Sequence, residues 1–156
     1  MTKPRGNKAF SRSLTKHGIS PHYKSTVVVD IDGVIVDFYN CPHNCDYSGY
    51  PETAHLLKRD LCPMTKGALK HLHKIRKLGL HIVLYTSRVE AERRATVRLL
   101  QKHGVPYDRL VMDKPMSFLY IDDMAHQFRD WPTAYKAVVK KMKIAQSGKR
   151  DDRWGK

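Results

Sequence analysis

The chain has 156 residues, of which 41% are hydrophobic, and its formal net charge at pH 7 is +14. This length and composition predict one globular domain with a proper hydrophobic core. No apolar run is long enough to span a membrane, and residues 1–25 are polar and basic, unlike an apolar signal segment. The three cysteines are an odd number in one region, which favours a reducing, cytoplasmic setting over a disulfide framework.

Most of the basic excess lies at the two ends of the chain. Residues 1–25 carry six Lys or Arg and no acid, and residues 136–156 carry eight against two acids. Such ends attract polyanions, nucleic acid included, without reading their sequence; solvated ends that only aid solubility are the alternative. We therefore expect a basic flexible arm at 1–25, a folded domain at 26–144 and a basic tail at 145–156.

Predicted strands and helices alternate along the folded part. Apolar runs predict strands at 26–31, 81–85, 109–112, 118–121 and 127–129, and helical spacing predicts helices at 64–78, 90–103 and 133–144. This alternation indicates an α/β fold with a three-layer, doubly wound, Rossmann-like parallel sheet. Residues 41–63 form a short irregular insert after the first strand, long enough to act as a lid and too short to be a domain.

The first predicted strand runs directly into two carboxylates, Asp30 and Asp32, which Gly33 follows. Side chains alternate along a strand, so both acids point to the same side and their negative charges converge. Two carboxylates held that close favour a cation between them, and a hard divalent ion such as Mg²⁺ suits oxygen ligands. A surface turn after an ordinary strand is the alternative, because Asp-Gly is a common turn pair.

The other predicted strands also end in residues that carry chemistry. In a parallel sheet these ends meet at one edge, where ligands bind. The residues that follow the second, third and fourth strands are Thr86, Ser87 and Arg88, then Asp113 and Lys114, then Asp122 and Asp123. Each has a plainer explanation alone, as a helix cap, a solvated loop residue or a turn. Together they suit phosphoryl transfer, in which a carboxylate attacks phosphorus while a cation, a lysine and a hydroxyl stabilise the charge.

This ordered set, Asp30-Ile31-Asp32-Gly33-Val34, then Thr86, Lys114 and Asp122-Asp123, resembles the four motifs of the haloacid dehalogenase superfamily of phosphatases. The sequences around Thr86 and Asp122 are similar to those of the small, nearly capless phage and bacterial members of this superfamily. The resemblance implies that Asp30 is the nucleophile and Asp32 the general acid and base. Thr86 and Lys114 would bind the phosphoryl group, with Ser87 as a rival for the Thr86 role.

The same resemblance implies a metal site and a substrate contact. Mg²⁺ would be held by Asp30, by Asp32 through its backbone carbonyl, and by Asp122, with Asp123 as a further ligand or a partner of one. Arg88 would reach the substrate beyond its phosphate. 

The insert contains a further set of metal-binding residue types. Cys41, His43, Cys45 and Cys62 could supply four ligands to a structural Zn²⁺, although the spacing between the first two cysteines is not the usual one. Free cysteines in a small insert are the alternative.

Two functions follow from these patterns. The first is a Mg²⁺-dependent phosphomonoesterase that works through an aspartyl-phosphate, on a nucleotide or a phosphorylated nucleic-acid end. The second is a nucleic-acid-binding or scaffolding protein that keeps the fold with little catalytic role. The presence of every required site residue favours the enzyme.

Overall fold

The computed structural model describes residues 25–42, 61–117, 119–122 and 124–146. Nearly all of the predicted basic arm and basic tail, and most of the predicted lid, therefore lie outside the described residues. No helix in the described part of the chain is long and apolar enough to cross a lipid bilayer.

The centre of the fold is a parallel sheet of three strands in the order β1-β2-β3 among the described residues. The strands are β1, Thr26–Val29, β2, His81–Tyr85, and β3, Arg109–Val111. Their sequences are rich in valine, isoleucine and leucine, which pack well on a pleated surface. In the register Val29 pairs with Leu84, and Leu84 pairs with Leu110, so these three side chains share one face.

Three α-helices follow the strands in the described residues: α1, Ala68–Lys77, α2, Arg93–Lys102, and α3, Trp131–Gln146. A short 3₁₀ turn, Glu90–Glu92, leads into α2. Asp130 caps α3, because its Oδ1 accepts the backbone N–H of Thr133 at 2.7 Å. That hydrogen bond stabilises the charged carboxylate form of Asp130 and therefore lowers its pKa.

The hydrophobic core lies between one face of the sheet and the helices. It contains Val29, Ile82, Leu84 and Leu110 from the sheet, and each of the three helices contributes buried residues, Leu72, Ile75, Leu99, Leu100 and Trp131. On the opposite face Val28 is 59% exposed. The described residues therefore form two layers, and the second helical layer of the predicted three-layer fold is not found among them.

The predicted strands at 118–121 and 127–129 are wrong for the residues that the structure describes. Residues 119–121 and 127–129 have no regular structure, and Leu119 and Ile121 are 66% and 95% exposed. An apolar run becomes a strand only where it finds a hydrogen-bonding neighbour, which these segments lack in the described sheet.

The first helix also begins later than predicted. Residue 64 pairs with Val36 in an isolated bridge, and the helix starts only after Gly67, whose φ of 84° is left-handed. The helical spacing upstream of Gly67 was misleading because a left-handed residue interrupts the α-helical backbone.

Candidate functional site

The two acids that follow β1 lie in a tight turn. The carbonyl oxygen of Ile31 accepts backbone N–H groups from residues 34, 35 and 36 at 3.3, 2.8 and 2.9 Å. Gly33 has a φ of 80°, a conformation that glycine adopts without strain. The turn leaves the carboxylate of Asp30 partly open, at 36% exposure, and that of Asp32 more enclosed, at 11%.

Lys114 contacts the first of these acids directly. Its Nζ donates to Oδ2 of Asp30 at 2.8 Å, while Oδ1 of Asp30 accepts the backbone N–H of Ile31 at 2.8 Å. Asp113, just before the lysine, has a φ of 58°, which is uncommon for a residue other than glycine and redirects the chain after β3. The backbone N–H of Lys114 donates to the carbonyl of Thr86 at 2.9 Å. The ends of β1, β2 and β3 therefore converge, which is three of the four strand ends that the sequence predicted at this edge.

Arg88 contacts the second acid. Its Nε donates to Oδ2 of Asp32 at 2.9 Å and its Nη2 donates to Oδ1 at 2.8 Å, so the contact is bidentate. Nη1 donates to the hydroxyl of Thr96 at 3.1 Å, and the side chain is 1% exposed. Arg88 is therefore buried against Asp32, and its contact with substrate stays a prediction.

The hydroxyl residues after β2 differ in their accessibility. Thr86 is fully buried, and its Oγ1 accepts the backbone N–H of Arg88 at 3.2 Å. Ser87 is only half-buried. Of the two residues that the sequence offered for binding a phosphoryl group, Ser87 is therefore the more accessible.

The segment that follows Ser87 is fixed by its own charged groups. The guanidinium of Arg93 binds the carboxylate of Glu90, and this hydrogen bond holds the pKa of Glu90 below its ordinary value. The backbone N–H of Glu90 also donates to Oδ1 of Asp113 at 3.3 Å. These contacts tie the loop after β2 to the loop after β3, from which Lys114 reaches Asp30.

The predicted metal ligands are only partly brought together. Asp122 is exposed, and its Oδ1 accepts backbone N–H groups from Met124 and Ala125 at 2.6 and 3.1 Å. Asp123 lies outside the described residues. Across the described ranges, no three His, Cys, Asp or Glu side chains are gathered closely enough to hold one metal ion.

The cysteines form a different arrangement from the predicted zinc ligands. Cys41 and Cys62 are joined in a disulfide, and a sulfur in a disulfide is not the thiolate that zinc binds. His43 and Cys45 lie outside the described residues. A zinc site would need the reduced form of the Cys41–Cys62 pair and stays a prediction.

Sequence reasoning missed the aromatic groups around Lys114. Nζ lies 4.7 Å from the ring centre of Tyr120 and 5.7 Å from that of Tyr85. Tyr85 is the last residue of β2, so the rule that site residues follow strand ends could have found it. The contact with Tyr120 depends on how an irregular segment folds back, for which no local pattern gives a signal. Thr96, which accepts a hydrogen bond from Arg88, lies in α2 and was missed because that contact depends on how the helix packs against the loop after β2.

Fold and site together define an α/β protein with a parallel sheet, whose carboxyl edge carries two acids, each paired with a basic side chain. No known family model matches the chain, and no curated protein matches it in sequence.

Solved structures do resemble it. An MCSG target protein from Vibrio cholerae is 19% identical with a TM-score of 0.51, over 76% of this chain and 97% of that one. Two chains from structures of the Pnkp1/Rnl/Hen1 complex, one described as an RNA repair complex, are 21% identical, with TM-scores of 0.43 and 0.41. They match 62% and 81% of this chain, which spans 30% and 33% of theirs. At 19% identity, the likeness to the Vibrio cholerae protein extends to the fold alone.

Proposed function

We propose that this protein is a Mg²⁺-dependent phosphomonoesterase that works through an aspartyl-phosphate on Asp30. Its substrate would be a nucleotide or a phosphorylated nucleic-acid end. The observation that carries the proposal is the contact between Lys114 Nζ and Asp30 Oδ2 at 2.8 Å, across 84 residues of chain. A lysine in that place can pair with the nucleophilic carboxylate and with the incoming phosphate, which otherwise repel each other.

The first half of the reaction forms the aspartyl-phosphate. A carboxylate oxygen of Asp30 attacks phosphorus, and the bond between phosphorus and the ester oxygen breaks. The leaving oxygen takes a proton from the carboxyl group of Asp32. Both oxygens of Asp32 accept from Arg88 in the arrangement described above, so the proton would occupy a lone pair that Arg88 does not use.

The second half releases inorganic phosphate. The carboxylate of Asp32 takes a proton from water as the water oxygen attacks phosphorus, and the bond between phosphorus and Asp30 breaks. Asp32 then carries a proton again and Asp30 is free. The half-buried hydroxyl of Ser87 and the ammonium of Lys114 would hold the non-bridging oxygens through both halves.

The acids at this edge, together with Asp122, are of the residue type that fits a magnesium ion. Asp30, Asp32 and Asp122 offer oxygen ligands, the donors that Mg²⁺ prefers. Asp30, the backbone carbonyl of Asp32 and Asp122 would hold the ion, and the exposed Asp122 segment would have to approach the other two. When bound, the ion would screen the negative charge of the phosphoryl group.

The test is phosphate release with and without Mg²⁺ from nucleoside monophosphates, ribose 5-phosphate and oligonucleotides phosphorylated at either end. Asp30→Asn is the blank. Asp37→Asn is the matched control, because Asp37 lies outside the site and binds the side chain of Asn40. We expect Mg²⁺-dependent release by the native protein and by Asp37→Asn, and none by Asp30→Asn. Release by the Asp30→Asn protein at the native rate would remove the nucleophile assignment.

Absence of release from every substrate would overturn the enzyme proposal. If the same protein bound nucleic acid tightly and in a salt-sensitive way, the binding or scaffolding function would replace it.

A further inference from the structure

Tyr120 contacts, through its ring, the lysine that binds the candidate nucleophile. Its hydroxyl donates to the carbonyl of Pro115, and its ring lies over Nζ of Lys114, 4.7 Å from the ring centre. The same Nζ binds Asp30. Tyr120 nevertheless remains 50% exposed. A ring anchored through its hydroxyl and through one face, and otherwise open to solvent, is a preorganised surface for a flat ligand.

A second exposed tyrosine lies beside the other acid. Tyr39 is 84% exposed, and its ring meets that of Phe38 edge to face, at 5.7 Å between centres. A Cβ on Gly33 would lie 3.0 Å from Cε2 of Tyr39, so the tyrosine ring rests against the turn that follows Asp32. One exposed aromatic ring thus lies against the turn that follows Asp32, and the other lies over the lysine that binds Asp30.

Packing in the hydrophobic core does not explain why these two tyrosines are present. Each exposes at least half of its surface, and neither belongs to the hydrophobic core. Proteins stack nucleobases on aromatic side chains that lie beside basic groups able to bind the phosphate, because every base has a flat π face. The polar edge of a tyrosine tolerates the water around such a ligand.

We propose that Tyr120 and Tyr39 form a stacking platform for a nucleobase attached to the phosphate that Asp30 and Lys114 receive. This proposal rests on the proposed phosphatase function, and it adds that the protein recognises the base of the substrate. A free nucleotide and the terminal nucleotide of a nucleic acid share this chemistry. The experiment separates these two sources.

The first experiment measures kcat/KM for a nucleoside monophosphate, for a phosphorylated trinucleotide and for ribose 5-phosphate, which has no base. In Tyr120→Ala and Tyr39→Ala we expect the ratio of kcat/KM for a base-bearing substrate to that for ribose 5-phosphate to fall about tenfold, mainly through KM. Tyr120→Phe and Tyr39→Phe keep the ring and should keep most of the ratio. Leu119→Ala is the matched control, an exposed apolar residue of the same segment, and should leave the ratio unchanged.

A fall for the trinucleotide alone would identify a nucleic-acid end as the source of the base, and a fall for both would include the free nucleotide. An equal loss on ribose 5-phosphate, or an unchanged ratio in both alanine variants, would overturn the proposal.

The second experiment does not depend on turnover. A phosphorylated oligonucleotide with 2-aminopurine at its phosphorylated end is titrated with the Asp30→Asn protein, and stacking on tyrosine is read as fluorescence quenching. Quenching that the alanine variants lose and the phenylalanine variants keep would support the platform even if no phosphate were released. Absence of quenching at saturating protein would overturn it.

Discussion

The guanidinium of Arg88 donates two hydrogen bonds to the carboxylate of Asp32, which lies 56 residues earlier in the chain. The two side chains are only 1% and 11% exposed. Because both side chains are almost fully buried, either charge left without its partner would keep the free-energy cost of its desolvation without the ion pair that offsets it. The pair therefore links the end of β1 to the loop after β2.

Removal of Arg88 is expected to destabilise the fold. Arg88→Ala should lower the free energy of unfolding by about 3–5 kcal/mol, because Asp32 would remain buried without its cation. Urea denaturation measures this change. Arg98→Ala, which removes an exposed arginine from α2, is the matched control and should stay within about 0.5 kcal/mol of the native protein. Equal stabilities of the two variants would contradict the role given to the pair.

Lys114 is expected to matter for the chemical step. In Lys114→Ala, kcat for phosphate release should fall by about 10²–10³, the usual cost of losing one group that stabilises transition-state charge. Lys114→Arg keeps the charge with a different geometry, so its kcat should lie between those of the native protein and Lys114→Ala. Lys136→Ala, on the exposed side of α3, is the control. A kcat in Lys114→Ala equal to that of the control would refute the role.

Gly33 is expected to be required for the turn between the acids. Its φ of 80° is unfavourable for other residues, so Gly33→Ala should cost about 1–2 kcal/mol of unfolding free energy. Gly79→Ala is the control for the backbone alone, since its φ is 77° and nothing lies within 4 Å of the added methyl group. Any excess cost at Gly33 should come from displacing Tyr39 and should vanish when Tyr39→Ala is present. An excess that persists in that double variant would locate the strain elsewhere.

Asp108 is expected to make stability depend on pH in the acid range. Burial raises its pKa, but hydrogen bonds from the Ile82 N–H and the Arg76 guanidinium outweigh burial, with His81 nearby, and the pKa lies below its ordinary value of 3.8. A lowered folded pKa means that the stabilisation is fully present above the unfolded value and is lost as pH falls through the folded value.

The comparison for Asp108 is with Asp108→Asn. The difference in unfolding free energy between the native protein and this variant should be constant from pH 7 to about 5 and should shrink below about pH 4. Thermal or urea unfolding at a series of pH values measures it. A difference that grew on acidification would contradict the sign worked out above.

Local sequence located the three strands of the described sheet, although it also predicted two strands that the described residues do not form. The strand at His81–Tyr85 was predicted to the residue, and β1 and β3 were predicted to within two residues at their ends. These strands are recognisable because a short β-branched or apolar run between polar flanks is typical of a strand in a buried sheet. The same logic located Asp30 and Lys114 at strand ends.

Tertiary structure decided which groups face each other. Arg88 carries no local sign that it would turn inward to Asp32 and Thr96, because that choice depends on two acceptors supplied by other elements. The apolar run at 119–121 is as strand-like as β3 in composition, yet it is exposed, since a strand needs a neighbour as well as a propensity.

The sequence by itself thus determined where β1, β2 and β3 lie and which acids, hydroxyls and lysine follow them, because strand propensity and side-chain alternation act over a few neighbouring residues. Only the tertiary structure decided that Lys114 meets Asp30, that Arg88 meets Asp32 and that Tyr120 covers the lysine. Those contacts join residues far apart in the chain, and their energies depend on burial and geometry that exist only after the sheet has assembled.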